Sequence, residues 1–231
     1  MNKLNKKILI LIIIAVLAAA GIILALNGAD EDKPAADNIE SRLPFATGYG
    51  MEITNIGSYS GPYMEDASDE EVKDIMMIQV KNTGEEAIQY AEITLSGEGE
   101  DDAVFKFSTL KKGQTMTVLE STKKKYKENA GYTQASSANV AYFQNKPRTY
   151  PKKLEIQPLD GGLNVTNISN KDIDGEIVIY FKDCDGDMLM GGITYRGRIE
   201  GGIKAGEICQ LMSSNFTKDN TKVMFITIDG E

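Results

Sequence analysis

Hydrophobic positions follow two patterns along the chain. From Ile8 to Leu26 nineteen residues run without a charge, whereas beyond residue 43 apolar residues come in short bursts. Segments 76–81, 92–95, 103–107 and 115–119 are rich in β-branched or large apolar residues. Turns such as Asn82-Thr83-Gly84 and Gly97-Glu98-Gly99 separate them. Strands are predicted again over 139–143, 162–165, 176–181, 192–199, 207–211 and 223–228. Period-2 alternation puts Ile177, Ile179 and Phe181 on one face, with Val178, Tyr180 and Lys182 on the outer one. No stretch after residue 26 holds a 3.6-residue period, and 123–129 forms a short helical turn at most. The predicted class is all-β.

Three ordered matches then divide these strands into two sets. Val80-Lys81-Asn82-Thr83-Gly84 resembles Val165-Thr166-Asn167-Ile168-Ser169, and Leu110-Lys111-Lys112-Gly113-Gln114 resembles Ile203-Lys204-Ala205-Gly206-Glu207. Asn139-Val140-Ala141-Tyr142-Phe143 resembles Lys222-Val223-Met224-Phe225-Ile226 at a similar offset. Two tandem immunoglobulin-like β-sandwiches are predicted, over 44–146 and 147–231. The stretch Lys146-Pro147-Arg148-Thr149-Tyr150-Pro151 fits the joint, since its prolines stiffen a linker and interrupt strands.

The apolar run sets the predicted location. Nineteen residues at about 1.5 Å each just cross a hydrocarbon core of roughly 30 Å. Lys3, Lys6 and Lys7 precede the run, and Asp30, Glu31 and Asp32 follow it. The positive-inside rule then puts residues 1–7 in the cytoplasm and everything after the span outside. The run exceeds the usual signal h-region, which favours a retained single-pass anchor over a cleaved signal peptide and a secreted protein; Ala18 and Ala20 keep cleavage open. No cysteine near the run offers a lipoprotein anchor. Residues 27–43, with their acidic cluster, Pro34 and alanines, read as a flexible tether.

Charge and composition narrow the function classes. The net charge is −9, and the three N-terminal lysines contribute +3, so the exported remainder carries −12. Such a surface argues against nucleic acid as a partner and against adhesion to anionic polymers through bulk charge. The chain has no histidine, no tryptophan and two cysteines. Histidine-based acid–base, nucleophilic and zinc chemistry therefore lack their usual residue, and the protein is predicted to be no enzyme. No cofactor and no metal is expected. The carboxylates Asp185 and Asp187 keep a hydrolase as a minor alternative, although both sit in a predicted turn.

Motifs in the second set of strands resemble a known family. Val165-Thr166-Asn167, the run Ile179-Tyr180-Phe181-Lys182-Asp183 with Asp185-Gly186, and Ile203-Lys204-Ala205-Gly206-Glu207 resemble FxLYD-type immunoglobulin-like domains. These are modules of exported bacterial proteins. The first set matches less well, since 92–99 lacks the Tyr-x-x-Asp element. Residues 193–196, Ile-Thr-Tyr-Arg, also look like surface proteins of Gram-positive anaerobes. The resemblance implies a fold and an envelope location, with no activity attached.

Few residues offer chemistry. Asp183-Cys184-Asp185-Gly186-Asp187 has glycine fourth and Thr194 at the twelfth position, unlike a calcium loop, and reads as a hairpin turn. Gly192–Arg198 resembles a phosphate loop in its glycines but lacks the terminal Lys-Ser/Thr and any following helix. Lys123, Lys124, Lys125 and Lys127 with Tyr126 form a basic loop, either solvated or a docking site for a ligand or partner. Cys184 and Cys209 are even in number in an oxidising compartment, which permits a disulfide. Strand parity argues against facing sulfurs. Tyr49, Tyr59, Tyr63, Tyr90, Tyr132 and Tyr142 make the first set tyrosine-rich, for packing or for sugar stacking. The expected function is non-catalytic binding or scaffolding of another envelope protein. A solute- or glycan-binding module is the alternative, favoured by a concave tyrosine-lined groove.

Overall fold

The structure is a computed structural model that describes residues 38–68 and 70–230. The predicted anchor at 8–26 lies outside the described residues. Thirteen described strands form three sheets, and the all-β class holds. The first half contributes β1 (Phe45–Gly48), β2 (Met51–Pro62), β3 (Glu71–Asn82), β4 (Ile88–Gly97), β5 (Glu100–Leu110), β6 (Thr115–Leu119) and β7 (Gln134–Tyr142). The second contributes β8 (Leu154–Leu159), β9 (Gly162–Asn167), β10 (Ile177–Asp185), β11 (Met188–Ile199), β12 (Ile208–Met212) and β13 (Thr221–Ile228).

Sheet order shows how the halves join. One sheet runs β1-β2-β3-β6-β11-β10-β13, and the others are β5-β4-β7 and β12-β9-β8. The seven-stranded sheet thus crosses from one half to the other at β6 and β11, which pair in parallel through Leu189↔Met116 and Met190↔Thr117. Its remaining neighbours are antiparallel. Two cores lie within this frame. Ile53, Ile78, Ile93, Phe105, Phe107 and Val118 are buried in the first, which also takes in Leu189 and Met224 from the second half. Val165, Ile179, Phe181, Ile203, Phe216 and Ile226 build the second. Ile39 is fully buried on the first core and donates its N–H to Tyr132, so residues 38–43 are docked there within the stretch read as tether.

Buried asparagines organise both halves in the same way. The Asn82 side chain donates to the carbonyls of Glu86 and Leu110 and accepts from Gly84 N–H. Asn167 donates to those of Lys171 and Ile203 and accepts from Ser169 N–H. The N–H of Asn82 reaches Gln114 and that of Asn167 reaches Glu207. Each amide side chain satisfies buried backbone groups that a sandwich turn otherwise leaves unpaired. Among the described residues no buried side-chain nitrogen or oxygen lacks a partner.

One facial assignment is corrected. Lys182, expected on an outer face, is fully buried, and its row-mate Val178 is buried as well. Register shifts in β10 beside Phe181, together with packing of the first half over this face, break the simple alternation.

Candidate functional site

The joint between the halves is built around close backbone approach. Gly192 in β11 lies so near β5 that a Cβ there would sit 2.0 Å from the Lys106 carbonyl oxygen, which requires glycine. Glu65, in the connection between β2 and β3, accepts from Gly192 N–H at 2.6 Å and from Leu119 N–H at 2.7 Å. Lys182 spends its three N–H groups on the carbonyls of Gly191, Gly192 and Ile193, at 3.1, 3.0 and 2.5 Å. Burial pushes the Glu65 carboxyl up to about 7 against the lowering effect of its two amide bonds. Burial also pushes the Lys182 ammonium down to about 7, with Glu65 opposing that shift. Ser108 adds bonds to the Gly192 carbonyl at 3.0 Å and to the Thr194 hydroxyl at 2.8 Å.

Beside this joint lies a cleft of about 900 Å³. That is within the roughly 300–1,000 Å³ of small-molecule sites. Its floor is a row across three strands. Arg196 of β11 stands opposite Tyr180 of β10, which stands opposite Phe225 of β13. The Tyr180 and Phe225 rings are parallel within 8° at 4.1 Å between centroids, and Phe143 meets Phe225 edge-on at 5.0 Å. Segment 145–150 forms one wall, held by the Arg148 carbonyl, which accepts Ile226 N–H at 2.7 Å. Tyr90 enters from β4, its hydroxyl on Glu92 at 2.6 Å. Burial first, then that carboxylate, pushes it up to about 12.

Charge sets this cleft apart from the rest of the chain. Lys146, Arg148 and Arg196 line it, none of them in an ion pair with another described residue, and no Asp or Glu does. A second hollow of about 520 Å³ continues from it through Tyr90, Ser108 and Thr194, and reaches Tyr63, Lys123 and Asp66. The arrangement can stack a ring, hydrogen-bond hydroxyls and neutralise an anion. Nothing in it poises a nucleophile next to a base.

The basic loop singled out in the sequence is spread over the first half, and its cations are used within the fold. Lys123 pairs with Glu70 at 2.5 Å and lies 4.5 Å from the Tyr63 ring centre. Lys124 donates to the Asp101 carbonyl and Lys125 to that of Lys73. Tyr126 bonds Glu40 at 3.4 Å, and Lys127 approaches Glu100 at 3.8 Å. The thiols of Cys184 and Cys209 are both free, and burial raises both. Cys184 packs against the first core and Cys209 against the second. Asp185 and Asp187 are exposed at the β10–β11 hairpin, where Gly186 has φ +58°, and Gly192–Arg198 is strand rather than loop. Of the six tyrosines noted in the first half, Tyr90 reaches the cleft and Tyr63 its extension, while Tyr132 is core and Tyr49 is exposed.

Sequence reasoning placed Arg148 and Tyr150 at a joint but did not connect them with Tyr180, Arg196 and Phe225. The signal was present in the alternation of β10, whose outward Tyr180 was noted without a partner. Glu65 was missed because 63–71 carries no strand pattern. Family models give no match to the chain, and neither curated proteins nor solved structures give one.

Proposed function

We propose that the chain is a membrane-anchored, extracytoplasmic, non-catalytic binding protein. On this reading 8–26 holds it in the membrane, and two tandem immunoglobulin-like sandwiches of the FxLYD type present the cleft at their joint to an anionic ligand of the envelope. One observation carries the reading. A protein of net charge −9 concentrates three cations, without an ion pair or a lining carboxylate among the described residues, around an aromatic floor. Support for the tandem arrangement comes from the matching bonds of Asn82 and Asn167. The anchor would confine the cleft near the membrane and raise its effective concentration for neighbours.

Docking of an envelope protein is the second reading, and it rests on another surface. Among the described residues β12 has β9 as its one sheet neighbour, and it exposes Ile208 at 62% and Met212 at 68%, an edge suited to strand addition. The two readings separate in one experiment. Full chain in detergent, wild type or carrying Arg148→Ser with Arg196→Ser, is immobilised and exposed to envelope extract. The cleft reading expects retained material that the double variant loses. Equal retention by both proteins, or none, overturns it.

A further inference from the structure

Resting on the cleft reading, we propose that the ligand is an acidic saccharide of the uronate type, with rings on the Tyr180–Phe225 floor and carboxylates held by Arg196 at one end of that row and Arg148 at the other. The floor comes first. A sugar ring presents a C–H face to aromatic side chains, and Tyr180 and Phe225 lie flat beside each other in one cross-strand row. Both rings are half-buried and both line the cleft, so their positions are fixed before a ligand arrives.

The anion-binding groups continue that row. Arg196 stands next to Tyr180 across β10 and β11, and Arg148 flanks Phe225 through its bond to Ile226. Guanidinium matches carboxylate geometry with two parallel hydrogen bonds, and both side chains are exposed and outside any ion pair among the described residues. The acidic surface elsewhere does not cancel this, since its field is screened beyond about 8–10 Å at physiological salt.

Other anionic classes fit less well. The β13 N–H that faces the linker, that of Ile226, is already taken by the Arg148 carbonyl, so an acidic peptide would have to displace the linker to pair with β13 at that point. A linear polyol phosphate such as glycerol phosphate has charge but no ring for the floor. Short neutral groups on the walls, Ser108, Thr194, Thr227, Gln89 and Asn145, suit the several hydroxyls of a sugar. The adjoining hollow past Tyr90 and Thr194 brings the carboxylates Glu65 and Asp66 in beside Lys106 and Lys123, so the acidic sugar belongs on the aromatic floor and not in that hollow.

The test is titration of the full chain in detergent micelles with a short oligogalacturonate, its methyl ester, an oligoglutamate peptide and glycerol phosphate. The proposal expects oligogalacturonate to bind tightest and esterification to weaken it tenfold or more. Arg148→Ser with Arg196→Ser is expected to do the same, by loss of charge-assisted hydrogen bonds. Tyr180→Ser is expected to abolish binding, and an unchanged melting temperature would show that its fold is kept. The arginine variants sit on the surface and give an answer even where Tyr180→Ser does not fold. Equal or tighter binding of oligoglutamate or glycerol phosphate, lost in the same arginine variant, would sink the saccharide and leave the cleft reading standing. Binding of none of the four would overturn the saccharide, and the cleft reading would then rest on the retention experiment. Binding indifferent to the arginines and to Tyr180 would overturn both.

Discussion

The two halves share an internal hydrogen-bond plan and differ in their outer faces. Three strands of one sheet and three of the other recur in the same order, β2-β3-β6 with β5-β4-β7, then β8-β9-β12 with β11-β10-β13. Asn82 and Asn167 hold equivalent turns. Strand length is where the halves part. β2 and β3 have 12 residues each, and β8 and β9 have 6. The longer hairpin brings Tyr63, Ile75 and Met64 over the end of β6, where they bury Leu119 completely. Met212, at the matching end of β12, has no such cover. The edge of β6 is likewise occupied by β11, while that of β12 is not. Turn chemistry keeps the halves alike, and strand extension makes one of them an inner surface and the other an outer one.

A charge at the two matching positions separates the halves most strongly. Leu119→Lys puts an ammonium among Tyr63, Ile75 and Met64, where the nearby carboxyl, Glu65, is already bonded to two backbone N–H groups, and is expected to cost about 3 kcal/mol or more. Met212→Lys is expected to stay within about 0.5 kcal/mol. Urea unfolding of both variants checks this, and similar costs would remove the distinction. The asparagines make the opposite claim, that the halves are equal. Asn82→Ala and Asn167→Ala each strand two backbone carbonyls, and each is expected to cost about 3–5 kcal/mol. A gap of more than about 2 kcal/mol between them would mean that the matched geometry does not carry matched energy.

The joint itself gives a pH signature. Glu65 rises from an ordinary 4.5 to about 7 on folding. Between those values the unfolded chain has released a proton that the native protein keeps, so stability falls as pH rises through this window. The change amounts to about 3 kcal/mol. Lys182 works in the other direction. It falls from 10.5 to about 7, so from pH 7 upward the unfolded chain holds the extra proton and stability rises with pH. Glu65→Gln is expected to flatten the slope between pH 4.5 and 7. Unfolding free energies of wild type and variant across that range test it, and parallel curves would refute the assignment.

Legibility in the sequence followed local pattern. β6 was read residue for residue because 115–119 is a compact apolar run between polar turns, and most β10–β13 strands were placed within a few residues. β2 was missed because a register shift between Ile53 and Asn55 breaks its alternation, and Gly57 and Gly61 dilute the rest. β8 was missed because Pro158 interrupts a pattern only two apolar residues long. Of the site, the linker was legible from its prolines. The pairing of Arg196 with Tyr180 and Phe225 was not, since it depends on the registers of three strands. Lys182 reads as solvent-facing in any alternating strand, and what buries it comes from elsewhere in the chain.

The smallest expected effect separates the two basic regions. Lys124, Lys125 and Lys127 meet their own fold, through the Asp101 carbonyl, the Lys73 carbonyl and Glu100. The Lys127–Glu100 contact is a surface ion pair, worth about 0–1 kcal/mol. Replacing the three lysines by serine is therefore expected to lower stability by no more than about 2 kcal/mol and to leave retention by the cleft unchanged. Arg148 and Arg196, which have no ion pair to lose, are expected to show the reverse, an unchanged melting temperature with retention lost. Measuring melting and retention on both sets in parallel decides the matter. Retention lost with the lysines and kept without the arginines would move the binding surface to the first half.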